Sequence, residues 1–266
     1  KADAHLEKAI KYDAKFLYAH AQRGVISYKL GEYEKSEERL NMSLEIAKKD
    51  GSNISNGYVY VNLGQLYIAW GKHKQALKYN KKAFEVYTHL ERPLSEAAII
   101  HNLATSFKNL GNQQEALSYF QKSLDIKKEY GDRLLQASSY GQIGNVQLEI
   151  GNYSEAINYL KRSLAIYRDF GHYFNEALAT LIVIEAYIET GQFDDARNFI
   201  DQAENILKEY KDPTIKGLIS TYRGTIEFYQ SNIEAAISHL DNSIEQFQIA
   251  QKPEQAFQAY LLLIQI

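Results

Sequence analysis

The chain contains no cysteine. That excludes a disulfide framework, thiolate metal ligation and a cysteine nucleophile together, and it fits a reducing, cytoplasmic setting. Proline is almost as scarce, with three in 266 residues, so little interrupts a helix anywhere. No stretch approaches the roughly 18 consecutive apolar residues of a membrane span, and no membrane partner is expected. Charge of one sign is also missing. The 30 basic and 33 acidic side chains leave a formal net charge of −3, and without a basic stripe no nucleic-acid partner is expected. Residues 201–266 hold nine acidic and five basic groups against 24 and 25 in the rest, a tilt that solvated helix faces explain.

Catalytic patterns are absent as well. The seven histidines (His5, His20, His73, His89, His101, His172 and His239) form no HExxH pair or other metal-ligand spacing. There is no GxSxG elbow, and no strand signal precedes a glycine loop. No metal, no cofactor and no enzymatic activity are expected. Glu185 and Glu189 stand one helical turn apart, as a carboxylate pair would. An open helix face is expected to desolvate them too little to tune their acidity.

What the chain does have is a period. Gly31, Gly71, Gly111, Gly151 and Gly191 follow one another at 40-residue steps, with Ser231 in the sixth place. Gly24, Gly64, Gly144 and Gly224 form a second register, and Gly51, Gly131 and Gly171 a third. Pro93, Pro213 and Pro253 share a fourth. Twelve of the fifteen glycines thus fall into three registers without an insertion or deletion, which identifies a repeat protein.

Each repeat reads as two helices. In the fourth, residues 135–150 carry apolar and small residues at helical spacing, and Gly151-Asn152 breaks the pattern. Residues 153–170 resume it, with Ala156, Leu160, Ser163, Leu164 and Tyr167 on one stripe. Gly171 then ends the second helix. Gly24, Gly64, Ala104, Gly144 and Gly224 fall in the middle of first helices, where glycine costs about 1 kcal/mol relative to alanine. Close approach of a partner helix accounts for them. Ala76, Ala116, Ala156, Ala196 and Ala236, with Ser36 as the exception, occupy the matching place on second helices.

These residues resemble the tetratricopeptide signature: Leu63-Gly64, Tyr67, Gly71, Ala76 and Ala83 in one repeat, and Phe107, Gly111, Ala116 and Phe120 in the next. The 40-residue unit is longer than the usual one. It is similar to the arrays of kinesin light chains, Leu-Gly-Asn-repeat polarity proteins and bacterial Rap-type peptide receptors. The resemblance implies an all-α fold, a right-handed superhelical solenoid of antiparallel helix pairs whose first helices line a concave groove. The expected repeats are 15–54, 55–94, 95–134, 135–174, 175–214 and 215–253. Residues 1–14 would be the trailing helix of a preceding repeat and 254–266 the first helix of a further one, so the chain is expected to be a segment of a longer protein. In that last helix Phe257, Tyr260, Leu261, Leu263, Ile264 and Ile266 are expected to expose a broad apolar face. Homodimerisation through Phe257, Tyr260, Leu261 and Ile264 is the alternative expectation for this end.

Two residues before the small mid-helix position stand Gln22, Asn62, Asn102 and Gln142, then Ile182 and Tyr222. An amide both donates and accepts, so a row of them suits the backbone of an extended peptide whatever its sequence. Helix-surface polarity is the competing explanation. The family resemblance adds that asparagine here is a recurring peptide-backbone clamp, which transfers directly to Asn62 and Asn102 and less directly to Gln22 and Gln142. Gln65, Thr105, Asn145, Glu185 and Thr225 come three residues later; Lys29, Lys108, Asn109, Glu149 and Glu189 come one further turn on. Their charge runs from basic or neutral to acidic. His101 is placed in the groove beside Asn102, and Tyr18 and Tyr58 are candidate aromatic anchors. The cations that chaperone-type arrays use for acidic tails are missing, with Val61, Gly141 and Gly144 in their neighbourhood. The expected partner is a protein or peptide, held by a scaffold or adaptor. The alternatives are a sensor whose groove controls an attached effector domain, and an assembly element.

Overall fold

The computed structural model describes residues 2–13, 16–88, 90, 92–209 and 211–266. Its helix ends are built on the first glycine register. At Gly151 the backbone turns left-handed (φ 81°). Its N–H donates to the Leu148 carbonyl at 2.9 Å, and the Asn152 N–H reaches back to the Gln147 carbonyl at 2.8 Å. This paired closure is the Schellman cap, which needs a residue that tolerates positive φ. The same two bonds recur at Gly31, Gly71, Gly111 and Gly191. Ser231 adopts the conformation too, at φ 64°, although it carries a Cβ.

The chain forms two compact units, Lys1–Gly131 and Asp132–Ile266. In the first, the described residues form α1 (Ala2–Tyr12), α2 (Leu17–Lys29), α3 (Tyr33–Lys49), α4 (Asn53–Ala69), α5 (His73–Tyr87), α6 (Pro93–Asn109) and α7 (Gln113–Glu129). Three pairs pack face to face, α2 with α3, α4 with α5 and α6 with α7. The second unit holds α8 (Arg133–Glu149), α9 (Tyr153–Asp169), α10 (Tyr173–Glu189), α11 (Phe193–Glu209), α12 (Pro213–Tyr229), α13 (Ile233–Ile249) and α14 (Pro253–Gln265). Here α8 pairs with α9, α10 with α11 and α12 with α13, while α14 packs on α13. Pro93, Pro213 and Pro253 each open a helix, where a missing N–H costs nothing. Within each unit neighbouring first helices also touch, α2–α4–α6 and α8–α10–α12.

The small mid-helix residues are steric requirements. A Cβ on Gly24 would lie 2.7 Å from Leu40 Cγ, on Gly144 2.6 Å from Leu160 Cγ, and on Gly224 2.8 Å from Leu240 Cγ. On Gly64 it would collide with the Asn80 carboxamide. Each obstacle is the residue 16 positions later, on the partner helix. Ala76, Ala116, Ala156, Ala196 and Ala236 are fully buried, as is Ser36, whose Oγ donates to the Gly24 carbonyl at 2.8 Å.

A second seam contact comes from a 40-residue register of serines, Ser43, Ser123, Ser163 and Ser243. All four are fully buried. Their hydroxyls donate to the carbonyls of Leu17 (3.0 Å), Ala97 (2.7 Å), Ala137 (2.8 Å) and Gly217 (2.9 Å) on the first helix of the same pair. Such a bond contributes about 1 kcal/mol net.

Gly144→Ala should lower unfolding free energy by about 1–3 kcal/mol through overpacking, although alanine is the better helix former. Ser231→Gly should raise it by up to about 1 kcal/mol by relieving the left-handed strain. Urea unfolding midpoints check both. A Gly144→Ala chain as stable as wild type would remove close approach as the reason for the small residue.

Candidate functional site

The small residues define which side of a first helix is free. Side chains advance about 100° per residue around an α-helix. The amide two residues before the small position therefore lies roughly 200° away, turned from the second helix. In the first unit this places Gln22, Asn62 and Asn102 on the side where α2, α4 and α6 approach one another.

The cluster is densest between α2 and α4. The exposed Gln22 donates from Nε2 to the Tyr58 hydroxyl at 2.6 Å. The Tyr58 ring lies 5.2 Å from that of Tyr18, so the two candidate anchors are packed on each other and Tyr18 keeps 46% of its surface exposed. Asn62 is nearly buried and donates from Nδ2 to the Tyr58 carbonyl one turn back, at 2.9 Å. Its Oδ1 makes no hydrogen bond within the described residues. On α6 the half-buried Asn102 accepts at its backbone carbonyl from Asn80 at 3.3 Å and Ser106 at 3.0 Å, and its carboxamide makes no hydrogen bond among the described residues. Gln65 is engaged, accepting from the Tyr28 hydroxyl at 3.2 Å. Lys108 and Asn109 lie half-buried at the end of α6.

His101 does not join this face. Three residues before Ala104, it lies about 300° around the helix, back on the seam side. Its ring meets Phe120 of α7 edge-on at 5.0 Å, and its Nδ1 is buried without a hydrogen-bond partner. Burial, then the nearby Lys127 and Lys108 charges, push its pKa down to about 3. The expectation that His101 faces the groove is therefore corrected by the helical period itself.

In the second unit Gln142 and Asn145 line a cavity of about 230 Å³ between α8, α9 and α10. Further along, Tyr222 of α12 hydrogen-bonds to Glu185 of α10. Glu185 keeps solvent access, yet its carboxyl is raised above the usual range, first by desolvation and then by the Glu189 and Glu149 charges. Tyr222 is raised too, by burial and by Glu185.

On α14, Phe257, Tyr260, Leu261 and Ile264 are exposed at 58%, 45%, 37% and 80%. Leu263 and Ile266, expected with them, instead pack against Leu240, Ile244 and Ala259, so the exposed stripe is narrower than the sequence suggested. Among the described residues no three His, Asp or Glu side chains gather as a metal site, and no helix is long and apolar enough to cross a membrane.

Family models of the tetratricopeptide repeat match residues 16–89 and 95–169, and again 147–220. No curated protein sequence matches the chain. Among solved structures it is similar to a signal transduction ATPase with a tetratricopeptide repeat sensor from Pyrococcus horikoshii. The TM-score is 0.78 at 18% identity, over 96% of this chain but 40% of that one. It is also similar to a Rap protein complexed with competence and sporulation factor (TM-score 0.70, 17% identity, 94% of this chain and 74% of that one). The apo quorum sensor NprR from B. thuringiensis matches at TM-score 0.70 and 18% identity, over 99% of this chain and 80% of that one. At such identities the likeness shows the fold.

His101 should stay neutral down to strongly acid pH. Its folded pKa lies below the unfolded value of about 6.5, so the unfolded chain binds the extra proton. Stability should fall as pH drops from about 6.5 toward 3, at up to about 1.4 kcal/mol per pH unit from this group. His101→Leu should remove that slope. An imidazole NMR titration near 6.5 in the folded chain would refute it.

Proposed function

Because the chain belongs to the tetratricopeptide repeat family, we propose that it is a non-catalytic holder of polypeptide, gripping an extended segment of a partner along its first helices. The observation that carries this reading is the pair Asn62 and Asn102. They occupy the same place on touching helices, α4 and α6. One keeps an uncommitted carbonyl oxygen and the other an uncommitted carboxamide. Packed helices lie about 8–10 Å apart, and an extended chain rises about 3.3 Å per residue. Each repeat therefore spans roughly three residues of a bound strand, and one amide per repeat can meet a backbone group at that interval. Gln22, tethered to Tyr58, would extend the row after giving up that bond, and the exposed edge of Tyr18 would supply apolar contact.

A second reading, a sensor module, draws on the likeness to the repeat sensor of a larger signalling ATPase and to a quorum sensor. In that case the same face takes the signal peptide, and the response belongs to an attached domain.

Asn62→Ala combined with Asn102→Ala should abolish affinity capture of the partner, identified by mass spectrometry, with helicity and the urea midpoint of the variant checked alongside. Undiminished capture by the double variant would move binding off this face.

A further inference from the structure

The cavity of about 230 Å³ in the second unit has a specific origin. Its register on the first helices, three residues before the small position, holds Ala21, Val61, His101, Leu181 and Thr221. Only at Gly141 is there no side chain. In the preceding repeat His101 fills this place against Phe120. A Cβ on Gly141 would meet only Ser163, 3.2 Å from its hydroxyl oxygen and 4.0 Å from its Cβ. The five other repeats carry a side chain in this register, and the one with glycine has the cavity beside it.

The hole opens onto the amide face, for Gln142 and Asn145 line it along with Gly141. Its walls are Ser138 and Ser163, Tyr167, Asn175 and the apolar Leu160, Leu178, Ala179 and Ile182. No charged side chain lines it. The serines are committed, since Ser163 donates to the Ala137 carbonyl and both hydroxyls hydrogen-bond to Tyr167. The Gln142 Oε1 is not: it is buried and accepts nothing. An orphaned buried acceptor costs about 1–3 kcal/mol until a donor reaches it.

Resting on the polypeptide-binding reading, the geometry points to a specificity subsite at Gly141 that takes a neutral carboxamide side chain, Asn or Gln, of the bound segment. The carboxamide N–H₂ donates to Gln142 Oε1, and its carbonyl accepts from the Asn145 or Asn175 amide. The absence of a lining charge excludes a carboxylate or ammonium, which would be buried without a counter-ion. The volume falls below the roughly 300–1,000 Å³ of sites for whole small ligands, and suits one side chain.

Propionamide, a free mimic of the Gln or Asn end, is the probe, with propionate as its charged isostere. In NMR titrations of the whole chain, propionamide should shift the Gln142, Asn145 and Asn175 side-chain amide signals saturably, and propionate should not. Gly141→Val, which fills the hole as Val61 does its own, should abolish the shifts. Gln142→Leu, which removes the acceptor without filling the hole, should weaken binding by roughly tenfold or more, as loss of a buried hydrogen bond does. Equal response to propionate, or shifts that survive Gly141→Val, would overturn the subsite. A random heptapeptide array separates this proposal from the one it rests on. Enrichment of Asn or Gln at one position by wild type, lost in Gly141→Val, supports both. Peptide capture without that preference overturns the subsite alone, and propionamide binding with no peptide captured overturns the polypeptide reading.

Discussion

Four of the six helix pairs, α2–α3, α4–α5, α8–α9 and α12–α13, depend on a side chain of the second helix reaching a point on the first where no Cβ intrudes. Leu40 over Gly24, Leu160 over Gly144 and Leu240 over Gly224 leave no room for a methyl group. All three leucines are essentially fully buried. The leucine provides apolar burial of about 1.5–3 kcal/mol, against a helix-propensity cost of about 1 kcal/mol for the glycine. The balance favours the glycine, and only because the partner helix comes that close. The α10–α11 pair solves the same problem differently, with Ile184 and Ile200 both fully buried in one cluster. Close packing is the constant, and glycine is one means to it.

That seam orients everything else. With one side of a first helix committed to its partner, the opposite side is left for neighbouring first helices and for polar groups. The amides two residues before the seam position fall there by rotation alone. The buried serines strengthen the same seam: Ser43, Ser123, Ser163 and Ser243 tie second helices to carbonyls near the start of the first.

One register of the array differs from the others by omission. The position three before the seam residue carries a filler in five repeats, and only Gly141 leaves it open. His101 and Gly141 are equivalent in register and opposite in consequence. One is a neutral imidazole wedged against Phe120; the other lines a small polar cavity next to Gln142, whose buried Oε1 is unpaired. His101 and Asn102, adjacent in sequence, point about 100° apart around the helix and so face different neighbours.

The sequence by itself determined the helix pairs, their 40-residue period, the capping glycines and the amide register, because each follows from local rules: left-handed caps, helical periodicity and the cost of glycine inside a helix. Only the tertiary structure decided which of those residues are free to act. Whether Gln22 is tethered, His101 turned against Phe120, Leu263 and Ile266 tucked in or Gly141 set beside a cavity depends on side chains brought together from separate helices. Periodicity places a residue on a face, but what it meets there is set by packing between elements far apart in the chain.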